Sequence, residues 1–302
     1  METYFAPPDR FDLVLNSGDT LDVDDDGHAY NTTINSGGVE NVNDGGLTNH
    51  TTIHSGGVLN VNDRGGAFET TIAGGVENVY AGAFDLDTTI NFGGVLNVHG
   101  GGVGETTINF GGDETIYGGT AYFTTINSGG RVIVDGGTAY FTTIHGGGVE
   151  LVYAGKADDT TINSGGMDSV FGGTANNTTI NSGGVEYVYD GTADGVTFGG
   201  PQAKLGLVDT PSSLIGTIRN WHVGDVIDFL KNAPTSVQEN AAHTTLTVTY
   251  GFNETASYSL AGQQANTEFK LQSDGQGGTE LILIGVPSPH PLIGVASPHP
   301  FV

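Results

Sequence analysis

Three carboxylates and a guanidinium stand where an otherwise regular sequence breaks. The words GGDETIYGG and GGRVIVDGG put Asp113, Glu114 and Asp135 in two consecutive repeats, with Arg131 at the position equivalent to Asp113. Glycoside hydrolysis needs two carboxyl groups about 5–9.5 Å apart with different pKa values, and stacked repeats offer such a spacing to Asp113, Glu114 and Asp135. Opposite charges one strand apart, Asp113 and Arg131, suggest an ion pair. The same stretch holds Tyr117 and His145, and its twin words TAYFTTI would lay Tyr122 over Tyr140 and Phe123 over Phe141. Aromatic rows beside carboxylates suit sugar rings, which have apolar faces and hydroxyl edges. Stacked rings are equally a stabilising ladder. The ligand-binding candidates are therefore Arg131, Tyr117, Tyr122, Tyr140 and His145, and the catalytic candidates, if the protein is an enzyme, are Asp113, Glu114 and Asp135.

A second candidate lies near the N-terminus. Asp22, Asp24 and Asp26 belong to DVDDDG, whose alternating carboxylates open a calcium loop. The twelfth position of such a loop wants a carboxylate and here is Thr33. Calcium is the one cofactor the sequence offers, and a solvated acidic end is the competing reading. A pectate-lyase type of site would want a calcium cluster and a basic residue over the substrate, but Arg64, Arg131 and Lys156 stand alone in their repeats. No Ser-His-Asp spacing, phosphate loop or histidine metal cluster stands out.

The elements that position these residues follow from one period. The word Thr-Thr-Ile begins at Thr32, Thr51, Thr70, Thr88, Thr106, Thr124, Thr142, Thr160 and Thr178, at intervals of 19, 19 and then 18. A second β-rich word follows each time, with a β-branched residue at Val23, Val42, Val61, Val79, Val98, Ile116, Val134, Val152, Val170 and Val188. Two short strands separated by Gly-Gly describe a coil of a parallel β-solenoid. The expected fold is all-β: a right-handed parallel β-solenoid of about ten coils of 18–19 residues, near 50 Å long at about 4.8 Å per coil, with a small C-terminal antiparallel β domain.

Alternation sets the faces. The first threonine, the isoleucine and the second-strand valine point inward, and the second threonine points outward. An acidic column at Glu40, Glu77, Glu114, Glu150, Asp168 and Glu186 falls two residues before the core valine. Strict alternation would bury it, which is costly for carboxylates, so a bulge and a solvated face are expected there. The turn asparagines, Asn35 and its equivalents, suit left-handed backbone and amide ladders. The outward threonines have neighbours too varied for an ice-ordering surface.

Domain boundaries follow: an N-terminal cap over 1–12, repeats over 13–200, a β-rich capping domain over 201–285 that shields the open strand edge, and a Pro-rich flexible tail over 286–302. Composition agrees with an ordered, glycine-turned β protein, with 51 glycines and 36% hydrophobic residues. The formal charge of −26 argues against nucleic acid and anionic membranes as partners. Cysteine is absent. No basic-then-apolar secretory leader is visible, and no apolar run is long enough for a helix to span a bilayer.

The unit TTINSGGVENVNDGG resembles the strand-loop-strand repeats in passenger domains of AIDA-type autotransporter adhesins, over about 60% of the chain by the extent of the repeats. Residues Leu205 to Leu283 look like the β-rich region that follows such repeats in other bacterial surface or secreted proteins. The resemblance implies a secreted or surface-attached solenoid, often an adhesin or biofilm component, whose turn serines accept O-linked heptose in some members. By position these acceptors are Ser36, Ser55, Ser128, Ser164 and Ser182. Residues 201–302 are too few and too broken by Gly and Pro for the family's translocator barrel, so a passenger piece or another export route is expected.

The sequence thus favours an adhesin-like or biofilm-matrix solenoid presenting ladders to a polysaccharide or cell-surface glycan. The alternatives are a carbohydrate-active enzyme and a purely structural spacer. Homo-oligomerisation stays open.

Overall fold

In a computed structural model, residues 1–208, 213–251, 254–263 and 267–285 are described. The Pro-rich tail expected over 286–302 lies outside them. The chain winds as a parallel β-solenoid in which like residues stack on like. Val58, Leu59, Asn60 and Val61 sit in register on Val39, Glu40, Asn41 and Val42, and the next coil repeats the match.

Each coil has three strands, one more than the two expected. Val39–Val42, Leu47–Asn49 and Thr52–His54 form the three faces of one turn. The extra face is short and pinned between glycine-rich corners. Only its central residue points inward, giving the column Ala29, Thr48, Ala67, Asp85, Val103, Ala121, Ala139, Ala157, Ala175 and Ala193. One small inward residue per strand shows no alternation of its own to mark a strand. Ile34 and its equivalents and the Val42 column, all fully buried, fill the remaining core as predicted. The first threonines are buried and the second ones half-exposed.

Of the two corner expectations, one changes and one holds. Asn35 does not take left-handed backbone; Gly37, two residues on, does, at φ +77°. Asn35 instead donates its amide to Asn16 at 3.0 Å, and the same ladder joins Asn109 to Asn91, Asn127 to Asn109 and Asn181 to Asn163. Left-handed residues do recur at another corner, just before the threonine pair, at Asn31, His50, Glu69, Asp87, Glu105, Phe123, Phe141, Asp159 and Asn177, with φ between +53° and +65°. Gly38 is needed for close approach, since a Cβ there would lie 2.6 Å from the Leu15 carbonyl oxygen.

The acidic column is the main correction. No bulge intervenes, and Glu40, Glu77, Glu114, Glu150, Asp168 and Glu186 are fully buried on the inward face, with Asp85 from the third strand beside them. In most coils they alternate with Leu21, Leu59, Leu96 and Val132 of the same column. Inward threonines supply donors: Thr142 and Thr160 each donate to Glu150, at 3.2 and 3.1 Å, Thr124 donates to Glu114, and Thr88 donates to Asp85. Desolvation pushes the carboxyl pKa values up, to about 7 for Glu40, Asp85 and Glu150 and about 8 for Glu114 and Glu186. Glu77 and Asp168, with neither oxygen hydrogen-bonded, are held well above the usual range by burial and neighbouring acids. Protonation therefore replaces solvation as the way these groups avoid a buried charge.

Parallel pairing runs past both expected ends. Thr3–Ala6 already stacks on Thr20–Val23, and Val226–Phe229 still stacks on Lys204–Leu207. The end of the rod is then covered by antiparallel hairpins built from Ser236–Glu239, Thr245–Thr249, Thr255–Ala261, Thr267–Ser273 and Thr279–Gly285. Trp221, fully buried, seals the core between Phe198 and Phe269, with ring centroids at 5.3 and 4.9 Å. No helix among the described residues is long and apolar enough to cross a membrane.

Candidate functional site

A solenoid offers its surface as columns, one side chain per coil. The candidates of the broken repeat fall on different columns. Asp113 and Arg131 project from the face of the Val39 column and form a two-pronged ion pair: Nε donates to Oδ1 at 2.9 Å and Nη2 to Oδ2 at 2.8 Å. Glu114, the next residue, points into the core and is fully buried. Adjacent strand residues face opposite sides, so Asp113 and Glu114 do not flank one substrate. Asp135 lies on the corner after the core valine, exposed to solvent. The catalytic trio is thus not brought together.

The ligand-binding candidates separate in the same way. Tyr122 stacks on Tyr140 at 4.9 Å and Phe123 on Phe141 at 5.1 Å, along the third strand and its left-handed corner. Tyr117 stacks on His99 at 5.0 Å on another corner, and His145 sits in the turn-asparagine column at 3.5 Å from the Asn163 amide. A surface concavity of about 430 Å³ is lined by Tyr140, Asp158, Asp159, Asn176, Asn177 and Asp194.

Asp22 and Asp24 both project from one strand and its edge, where each accepts an amide hydrogen bond, from Asn41 at 2.8 Å and from Asn43 at 2.6 Å. Asp26 sits apart in the turn with φ +62°. Among the described residues no three acidic or histidine side chains are grouped to hold a metal ion. Strand geometry makes Asp22 and Asp24 the acceptor ends of asparagine ladders. The first continues from Asn41 to Asn60, Asn78 and Asn97, the second from Asn43 to Asn62.

Ser36, Ser55, Ser128, Ser164 and Ser182 are all exposed and share one corner of the rod. Ser17 occupies the equivalent place in an earlier coil, whose unit lacks the Thr-Thr-Ile word that marks the others. Two coils put phenylalanine there instead, Phe92 and Phe110, stacked at 6.2 Å and exposed by 73% and 67%.

No family model matches the sequence, and no curated protein matches it either. Among solved structures the chain is similar to the crystal structure of a TibC-catalysed, hyper-glycosylated fragment of TibA spanning 55–350. Identity is 27%, the TM-score is 0.61, and the match covers 87% of this chain and 96% of that one.

Proposed function

We propose that this protein is an adhesin-like passenger rod, secreted or held at a bacterial surface, whose turn serines carry sugar. The observation behind this reading is the set of five exposed serines, Ser36, Ser55, Ser128, Ser164 and Ser182, on one corner of a fold similar to a fragment that TibC glycosylates. Exposure matters because a transferase must reach the hydroxyl. The two pairs in adjacent coils, Ser36 with Ser55 and Ser164 with Ser182, set acceptors about 4.8 Å apart, close enough for the sugars to form a continuous strip. A strip of weak contacts on a stiff rod adheres through avidity rather than through one deep pocket.

Co-production of the chain with TibC tests this directly. Intact-mass measurement is expected to show a series of sugar increments that disappears when the five serines are changed to alanine. Beads coated with the glycosylated chain are expected to bind host cells better than beads carrying the alanine variant. Increments that survive the substitutions, or none at all, would overturn the acceptor assignment.

A further inference from the structure

The corner after the core valine carries one side chain per coil: Tyr80, His99, Tyr117, Asp135, Tyr153, Phe171 and Tyr189. The first three rings stack with centroids 5.2 and 5.0 Å apart, and the last three at 4.9 and 4.6 Å. Neighbours in each group are within 15° of parallel. A ring inside such a stack shows solvent only its edge. Asp135 interrupts the row and has no ring to cover its neighbours. Tyr117 therefore has His99 on one face and the gap on the other, and Tyr153 has Phe171 on one face and the gap on the other. Both tyrosines are open to solvent, Tyr117 by 49% and Tyr153 by 47%.

Two coil spacings separate the tyrosines, about 9.6 Å, and the ring half-thicknesses leave a slot about 6 Å wide. We propose that this slot binds a quaternary ammonium group of the kind choline carries. A cation at its midpoint lies about 4.8 Å from both ring planes, inside the roughly 6 Å reach of cation–π attraction. Asp135 stands on the same exposed corner in the coil between the two tyrosines and brings an acidic side chain there. Arg131, on the face leading to this corner, is already held by Asp113. The acidity of the whole chain, formally −26, concentrates cations at its surface. Width selects among them. A flat guanidinium needs about 3.5–4 Å to each ring and would leave the slot underfilled, a primary ammonium is strongly hydrated, and a neutral sugar gains nothing from the charge. This site stands apart from the serine corner and does not depend on glycosylation.

Titration of the full chain with choline chloride at low salt tests the proposal, followed by calorimetry and by the proton resonance of the N-methyl groups. The expected result is saturable one-to-one binding with a Kd on the order of 1 mM and an upfield methyl shift from the two rings. Asp135→Tyr fills the slot and should abolish binding, while Tyr153→Leu, which removes one wall, should weaken it about tenfold. Phosphatidylcholine vesicles alongside free choline tell a membrane headgroup from a soluble cation, and saturable binding of either kind that Asp135→Tyr abolishes sustains the assignment. Absence of choline binding, binding unchanged in Asp135→Tyr, or equal competition by glucose or arginine amide would overturn it. Sugar increments on the turn serines are expected to be the same in Asp135→Tyr, so failure here and failure of the adhesin reading are separable.

Discussion

The corner after the core valine is built in two ways along the same rod. In the N-terminal coils it is a ladder of amides, with Asn43 donating to Asp24 and Asn62 donating to Asn43. From Tyr80 onward it is a ladder of rings. The backbone also tightens: from Val42 to Thr48 the chain takes one residue more than from Val98 to Val103, and strands that were separate merge into single runs such as Asp113–Tyr122 and Arg131–Tyr140. The difference shows in how each ladder treats an acid. An amide ladder is directional and ends naturally on a carboxylate, because the last asparagine still has hydrogens to donate. A ring ladder is held face to face, and a carboxylate has no ring face to add to the stack, so Asp135 leaves a gap. The interior repeats the contrast: Glu150 is met by two threonine hydroxyls, whereas Glu77 and Asp168 have none.

The largest effect expected from this contrast is on pH dependence. Each carboxyl of the inward acidic column holds its proton to a higher pH in the folded rod than in the unfolded chain, so the folded state binds more protons between the ordinary glutamate value of 4.5 and about 8. Stability is then full below that window and falls as pH rises through it. Urea midpoints measured from pH 4.5 to 9 should decline steadily, and a flat or rising profile would show that the acids are not buried.

Next in size, Glu77→Leu should stabilise the rod by about 2–3 kcal/mol at pH 8 by removing an acid without partners, as Leu59 and Leu96 already do in neighbouring coils. Glu150→Leu strands two threonine hydroxyls and should gain less. An equal gain in both would mean that the threonines contribute nothing. On the surface, Asn43→Ala should cost about 1–2 kcal/mol in thermal or chemical unfolding, because Asp24 and Asn62 each lose a partner. Asp135→Tyr joins the two ring stacks and should stabilise by about 0.5–1.5 kcal/mol. Arg131→Ala should cost no more than about 1 kcal/mol, shrinking in high salt, since its pair with Asp113 is exposed.

Much of this was legible in advance. The period, the inward isoleucine and valine columns, the Asn35 amide ladder, the Asp113–Arg131 pair and the two ring stacks of TAYFTTI all follow from aligning residues 18 or 19 apart. The ring row from Tyr80 to Tyr189 had the same kind of signal, one residue after each core valine, and reading that column downward would have found it. The third strand showed only a column made mostly of alanine, from Ala29 to Ala193, and an alanine flanked by polar residues and glycines looks like a turn. For the acidic column the two signals conflict: alternation points inside, the cost of a buried charge points to solvent, and register prevails.

By itself, then, the sequence determined the stack, because an 18- or 19-residue period lets only parallel, in-register strands bury the same residue in every coil. Only the tertiary structure decided what each column does. A carboxyl on an inward face escapes its desolvation cost by keeping a proton, as Glu114 does, and the same group at a corner ends an amide ladder or parts two rings, as Asp24 and Asp135 do. Those outcomes depend on which donors and ring faces the adjacent coils supply, at distances that spacing along the chain does not specify.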